Sequence, residues 1–118
     1  MLVSIITPMY NSEATIAETI KSVLAQTYSE WEMVIVDDCS TDASASIVKK
    51  YQNIDKRIHY YKREKKSSVA NARNYAIKMS KGHYLAFLDS DDLWEKDKLQ
   101  KQVSFMEKNN VSFCYSAC

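Results

Sequence analysis

The run Phe87-Leu88-Asp89-Ser90-Asp91-Asp92 sets three carboxylates within four residues, directly after an apolar stretch. Acids crowded at one strand end repel one another unless a cation neutralises them. Hard divalent ions such as Mg²⁺ or Mn²⁺ are held through one or two carboxylates together with substrate phosphates. The run therefore reads as a metal–diphosphate site, with a loop of solvated aspartates as the plain alternative. A second acidic pair, Asp37-Asp38, closes another apolar run. A carboxylate such as Asp38 can accept from a base N–H or a ribose hydroxyl. Tyr10 offers a ring for a base to lie on, or is a half-buried strand-end aromatic. Arg73, among the small residues of Ala70-Asn71-Ala72-Arg73-Asn74, is placed to reach a phosphate or to pair with Asp91; the alternative is a surface arginine.

These residues need a scaffold, and the hydrophobic pattern supplies one. Leu2–Thr7 reads as a strand ended by Pro8, followed by a helix capped by Asn11 or Ser12 with Ile16, Ile20, Val23 and Leu24 on one face. Trp31–Val36 is a second strand. Ser40, Thr41 or Asp42 caps the next helix, which buries Ile47, Val48 and Tyr51. Ile58–Tyr61 is a short strand. Ser67 or Ser68 opens a third helix with Val69, Ala72, Ala76 and Met79 inward and Gly82 at its C′ position. Tyr84–Leu88 is the strand before the acids, Lys96–Lys108 a helix with Leu99, Val103 and Met106 inward, and Val111–Tyr115 a further strand. Strands separated by helices of this length predict βαβ units and a mostly parallel sheet. Both acidic clusters then fall on the C-terminal edge of the sheet, beside Pro8 and Tyr10, where open α/β sheets bind ligands.

At 118 residues the chain is one domain, residues 1–118, with 46% hydrophobic and 26% charged residues. A formal net charge of +1 argues against nucleic-acid binding. The basic residues Lys62, Arg63, Lys65 and Lys66 read as a solvated loop. A single glycine and a single proline exclude a P-loop or a dinucleotide fingerprint. Any nucleotide must be held by side chains and metal. Cys39, Cys114 and Cys118 lack metal-ligand spacing and read as reduced thiols of a cytosolic protein. Leu2–Ile6 is too short for a signal peptide, and no apolar run is long enough to span a bilayer. His59 and His83 have no partners at ligand spacing, and Trp94 reads as packing. Ending at Cys118, just after a core strand, the sequence reads as part of a longer protein.

Four segments in order, Ser4-Ile5-Ile6-Thr7-Pro8-Met9-Tyr10-Asn11, Val36-Asp37-Asp38-Cys39-Ser40-Thr41-Asp42, Ala72-Arg73-Asn74 and Phe87-Leu88-Asp89-Ser90-Asp91-Asp92, resemble the N-terminal half of family 2 inverting glycosyltransferases. The resemblance covers essentially the whole chain and implies a GT-A fold, a Rossmann-like, mostly parallel α/β sheet cut off after its fifth strand. It further implies that Pro8 and Tyr10 line the nucleotide pocket, that Asp38 reads the base and that Arg73 lies near the nucleotide. Asp89 and Asp91 match the family's Asp-x-Asp, in which the second acid binds Mn²⁺ or Mg²⁺ bridging the diphosphate. Asp92 is placed to assist. Two departures stand out. Ser67-Ser68 occupies a loop that often carries glycine, and the family's catalytic base, with most of its acceptor site, would lie beyond Cys118.

What the resemblance implies is transfer of a sugar from a nucleotide diphosphate sugar, UDP-linked by expectation, to a hydroxyl of a glycan or lipid-linked acceptor in cell-surface polysaccharide synthesis. Such work implies a cytoplasmic location and leaves open membrane association at the inner leaflet through downstream segments. With no base of its own, the chain is expected to bind donor but transfer slowly or not at all. The rivals are a non-catalytic nucleotide-binding fragment, a receiver-type signalling domain and a haloacid-dehalogenase-type phosphatase. A receiver would carry its acidic pair after the first strand rather than the second. The phosphatase pattern requires Thr or Val where this chain has Leu93.

Overall fold

A computed structural model of the chain describes residues 1–109. The elements run β1 (Val3–Met9), α1 (Ile16–Leu24), β2 (Trp31–Asp37), α2 (Ser44–Ile54), β3 (Ile58–Lys62), α3 (Val69–Met79), β4 (Tyr84–Phe87) and α4 (Lys98–Asn109). The expected strand at Val111–Tyr115 lies outside the described residues. All strand pairings are parallel, in the order β3-β2-β1-β4. That order differs from the 2-1-3-4-5 arrangement of receiver-type sheets and places a topological switch point between β1 and β4.

The central strands are apolar on both sides because helices cover both faces. Val3, Ile5, Met9, Met33, Ile35 and Ile58 face α1, α2 and α4, which contribute Ile16, Ile20, Val48, Leu99 and Val103. Ile6, Val34, Val36 and Phe87 face α3, whose small Ala72 and Ala76 let it lie close to the sheet. Val69, expected on that inner face, is instead 59% exposed.

Pro8 does not end β1. It pairs in register with Val36, while pairing to β4 stops at Ile6↔Phe87. The missing proline N–H therefore falls where the β4 neighbour has already left, a position a central strand tolerates.

Helix starts differ from expectation at α1 and α2. Thr15 and Ala43 hold the N-cap positions, and neither makes a side-chain cap. Ser12 serves α1 through its backbone carbonyl, which accepts from the N–H groups of Thr15 and Ile16. Asp42 Oδ1 accepts from Ser44 N–H at 2.9 Å. At α3 the expectation holds, since Ser68 Oγ accepts from Asn71 N–H.

Gly82 is not a helix cap. Its φ is not positive, and α3 is capped by Ser80 in an extended conformation. What requires glycine is close approach: a Cβ at residue 82 would lie 2.5 Å from Ser4 Oγ and 2.7 Å from Ser4 N. Ser4 is wholly buried there, donating to Glu32 Oε2 at 2.6 Å and accepting from Gly82 N–H at 2.8 Å.

Candidate functional site

At the C-terminal edge of the sheet, the loops after β1, β2 and β4 and the start of α3 enclose a cavity of about 570 Å³. Pro8, Tyr10, Asp38, Arg73, Asp89 and Asp91 all line it. Residues up to 83 apart in sequence thus meet, because parallel strands deliver their C-terminal ends to one edge.

The loops after β1 and β2 are stitched to each other. Asn11 N–H donates to Ser40 Oγ at 2.9 Å, and Thr41 N–H donates to Asn11 Oδ1 at 2.8 Å. Ser12 N–H donates to Ser44 Oγ at 2.7 Å. Asn11 and Cys39 both adopt left-handed backbone, with φ of 46° and 66°. Asparagine tolerates that region; cysteine there is uncommon, and such strain concentrates at binding loops. The Cys39 thiol is free and donates to the Arg63 carbonyl.

The acidic pair after β2 divides its labour, since consecutive strand residues point to opposite faces. Asp37 is fully buried and structural: it accepts from Ser40 N–H at 2.8 Å and from the Tyr60 hydroxyl at 2.6 Å. Burial, and then the hydrogen bond to Asp37, push the Tyr60 hydroxyl well above the usual tyrosine range. Asp38 faces the cavity. Its Oδ1 accepts from the backbone N–H and hydroxyl of Ser67, at 2.9 and 3.1 Å, in the loop that departs from the family's glycine pattern.

Opposite, a tight turn with Asp92 N–H on the Asp89 carbonyl gathers Asp89, Asp91 and Asp92. One oxygen from each lies within 4.8 Å of the others, a set of hard donors that suits Mg²⁺ or Mn²⁺. Arg73 pairs with Asp89 rather than with Asp91, at 3.6 Å. The Arg73 Nε is buried and has no hydrogen-bond partner among the described residues. Ser90, between the acids, is turned away from them, sharing a 2.6 Å hydrogen bond with Ser12 Oγ.

Lys66 and Thr15 are among the lining residues that the sequence did not assign to the site. Lys66, assigned to a solvated loop, sits with its ammonium 4.3 Å from the centre of the Tyr10 ring and lines the cavity. Thr15 also lines it and donates to the Ser90 carbonyl at 3.0 Å. Its visible signal is the recurrence of Thr15, Thr19 and Ser22 at helical spacing beside the apolar face of α1. Among the described residues, no helix is long and apolar enough to cross a membrane.

Known proteins share both sequence and fold. The chain is 50% identical over 115 residues to TuaG of Bacillus subtilis, named as a candidate teichuronic acid biosynthesis glycosyltransferase, covering 98% of this chain and 46% of that protein. It is 48% identical over 114 residues to the Escherichia coli UDP-Glc:α-D-GlcNAc-diphosphoundecaprenol β-1,3-glucosyltransferase WfgD, covering 97% of this chain and 44% of that one. The chain thus spans less than half the length of these relatives. Among solved structures, Staphylococcus aureus TarS 1–349 in complex with UDP superposes with a TM-score of 0.87 at 37% identity, over 93% of this chain and 33% of that one. The Pyrobaculum calidifontis mannosyltransferase PcManGT, in complex with GDP-Man and Mn²⁺, superposes with a TM-score of 0.83 at 28% identity, over 88% of this chain and 32% of that one. Residues 4–117 match the family described as Glycosyl transferase family 2. Four ordered segments, one parallel sheet and these likenesses converge: the chain belongs to glycosyltransferase family 2 and carries the N-terminal part of its GT-A fold.

Proposed function

We propose that this chain is the donor-binding part of a glycosyltransferase that takes its sugar from a nucleoside diphosphate sugar, UDP-linked in the first instance. The observation that carries the reading is the shared cavity. Asp38 on one side of β1 and the Asp89–Asp91 turn on the other line it together, with Arg73 beside the turn. Asp38 accepts from the base through the carboxylate oxygen that Ser67 leaves free. Tyr10 lies under the base, and Pro8 stiffens the strand end next to it. Arg73, which lines the cavity, donates to the diphosphate.

Asp91, with Asp89 and Asp92, would hold Mn²⁺ or Mg²⁺. Bound there, the ion offsets the charge that builds on the departing diphosphate. The TarS complex with UDP and the PcManGT complex with Mn²⁺ support this assignment by likeness. The acceptor is a hydroxyl of a lipid-linked or glycan chain bound for the cell surface, by analogy with the names of TuaG and WfgD. Inversion needs a carboxylate base on the face opposite the leaving group, and the reading assigns that role to no residue of this chain.

Calorimetric titration with UDP, with and without Mn²⁺, tests the reading. UDP binding that Mn²⁺ strengthens, with that strengthening lost in Asp91→Asn, is the expected result. Failure of the wild-type chain to bind UDP in the presence of Mn²⁺ would overturn it.

A further inference from the structure

Helix α1 and its entry carry a polar stripe, Ser12, Thr15, Thr19, Ser22 and Gln26, at alternating spacings of three and four residues. Such spacing puts the side chains on one face of a helix. Each of them contacts residues 90–99, the segment that follows β4. Ser22 Oγ accepts from Trp94 N–H at 3.2 Å. Gln26 donates to the Glu95 carbonyl at 2.7 Å and accepts from Leu99 N–H at 3.0 Å. The other three converge on Ser90. Ser12 shares its hydroxyl hydrogen bond, and the Thr15 and Thr19 hydroxyls each lie 3.0 Å from the Ser90 carbonyl.

We infer that Thr19, together with Thr15, is a positioning residue for the metal-binding turn, acting through the Ser90 carbonyl. The inference rests on the metal reading given above. Thr19 is wholly buried, so no solvent competes for its hydroxyl. That hydroxyl also lies 3.2 Å from the Thr15 carbonyl of its own helix, leaving the Ser90 carbonyl the nearer acceptor. Ser90 is the second residue of the acidic turn, between Asp89 and Asp91. Holding its carbonyl and hydroxyl toward α1 leaves Asp89 and Asp91 lining the cavity on either side of it. The two acids repel each other, and a turn free to relax would splay them apart. Fixing Ser90 keeps their oxygens within reach of one ion before it binds. Partners that orient ligands in this way are worth about 10–100-fold in metal affinity.

Mn²⁺ affinity, read from the free-ion electron paramagnetic resonance signal of the wild-type chain and its variants, tests this. Thr19→Val keeps the shape and removes the hydroxyl; it is expected to weaken Mn²⁺ binding about tenfold. Metal-free UDP affinity should stay within about twofold of wild type, and Thr19→Ser should restore Mn²⁺ binding. Gln26→Met breaks the same stripe at its far end and serves as a stability-lowering control that retains wild-type Mn²⁺ affinity. Undiminished Mn²⁺ binding by Thr19→Val would overturn the inference alone. So would equal losses in Thr19→Val and Gln26→Met, which would mark a merely structural role. Absence of Mn²⁺ binding by the wild type with UDP present would overturn the metal reading and this inference with it.

Discussion

Arg73 on α3 reaches Asp89 after β4 with Nη2 3.6 Å from Oδ1, an ion pair too long to be a good hydrogen bond, while its Nε is buried without a partner. A guanidinium so placed has donors to spare. A phosphate oxygen is the acceptor that would use them, and hydrogen bonds to charged groups contribute about 1.5–3 kcal/mol each. Arg73→Met is therefore expected to weaken UDP binding roughly ten- to a hundredfold. Uridine, which lacks the diphosphate, should bind both proteins alike. Paired calorimetric titrations check this, and equal losses for both ligands would remove Arg73 from the diphosphate.

Gly82 is held by its surroundings. A Cβ there would press on the Ser4 backbone nitrogen at 2.7 Å and the Leu2 carbonyl at 2.9 Å, neither of which can swing aside as a flexible side-chain end would. Overpacking of this kind costs about 1–3 kcal/mol. Gly82→Ala should lower the urea midpoint accordingly, with the slope of the transition unchanged.

Thr7 offers the opposite opportunity. Its hydroxyl is buried in β1 and has no hydrogen-bond partner among the described residues. An unpaired buried hydroxyl costs about 1–3 kcal/mol, and valine has nearly the same shape. Thr7→Val should raise stability by about 1 kcal/mol, seen as a melting-temperature increase of roughly 4 °C.

The strands were legible because nearly continuous apolar runs such as Trp31–Val36 have no other good home than a sheet covered on both faces. The acids were legible because they interrupt such runs abruptly. Local rules failed where distant chain decided the outcome. Gly82 fits the rule for a helix cap, yet the Ser4 backbone is what excludes a side chain. Val69 fits an inward face, but α3 turns it toward the cavity mouth. Lys66 is indistinguishable in sequence from its solvated neighbours Lys62 and Lys65; only the fold lays it over Tyr10. Asp37 and Asp38 look equivalent in sequence, and strand alternation makes one a structural anchor and the other a cavity residue.

The strand order also sets a timetable. β1 pairs with β2 after a short excursion, but its other edge waits for β4, which begins at Tyr84. Contacts so distant in sequence form late, after the loop-closure entropy has been met. On a chain emerging from the ribosome, the Asp38 side of the cavity can assemble first. The acidic turn takes its place only when β4 docks beside β1 and Ser90 meets α1. Capacity to hold a divalent ion would then report that β4 has docked beside β1, making metal binding a readout of that step.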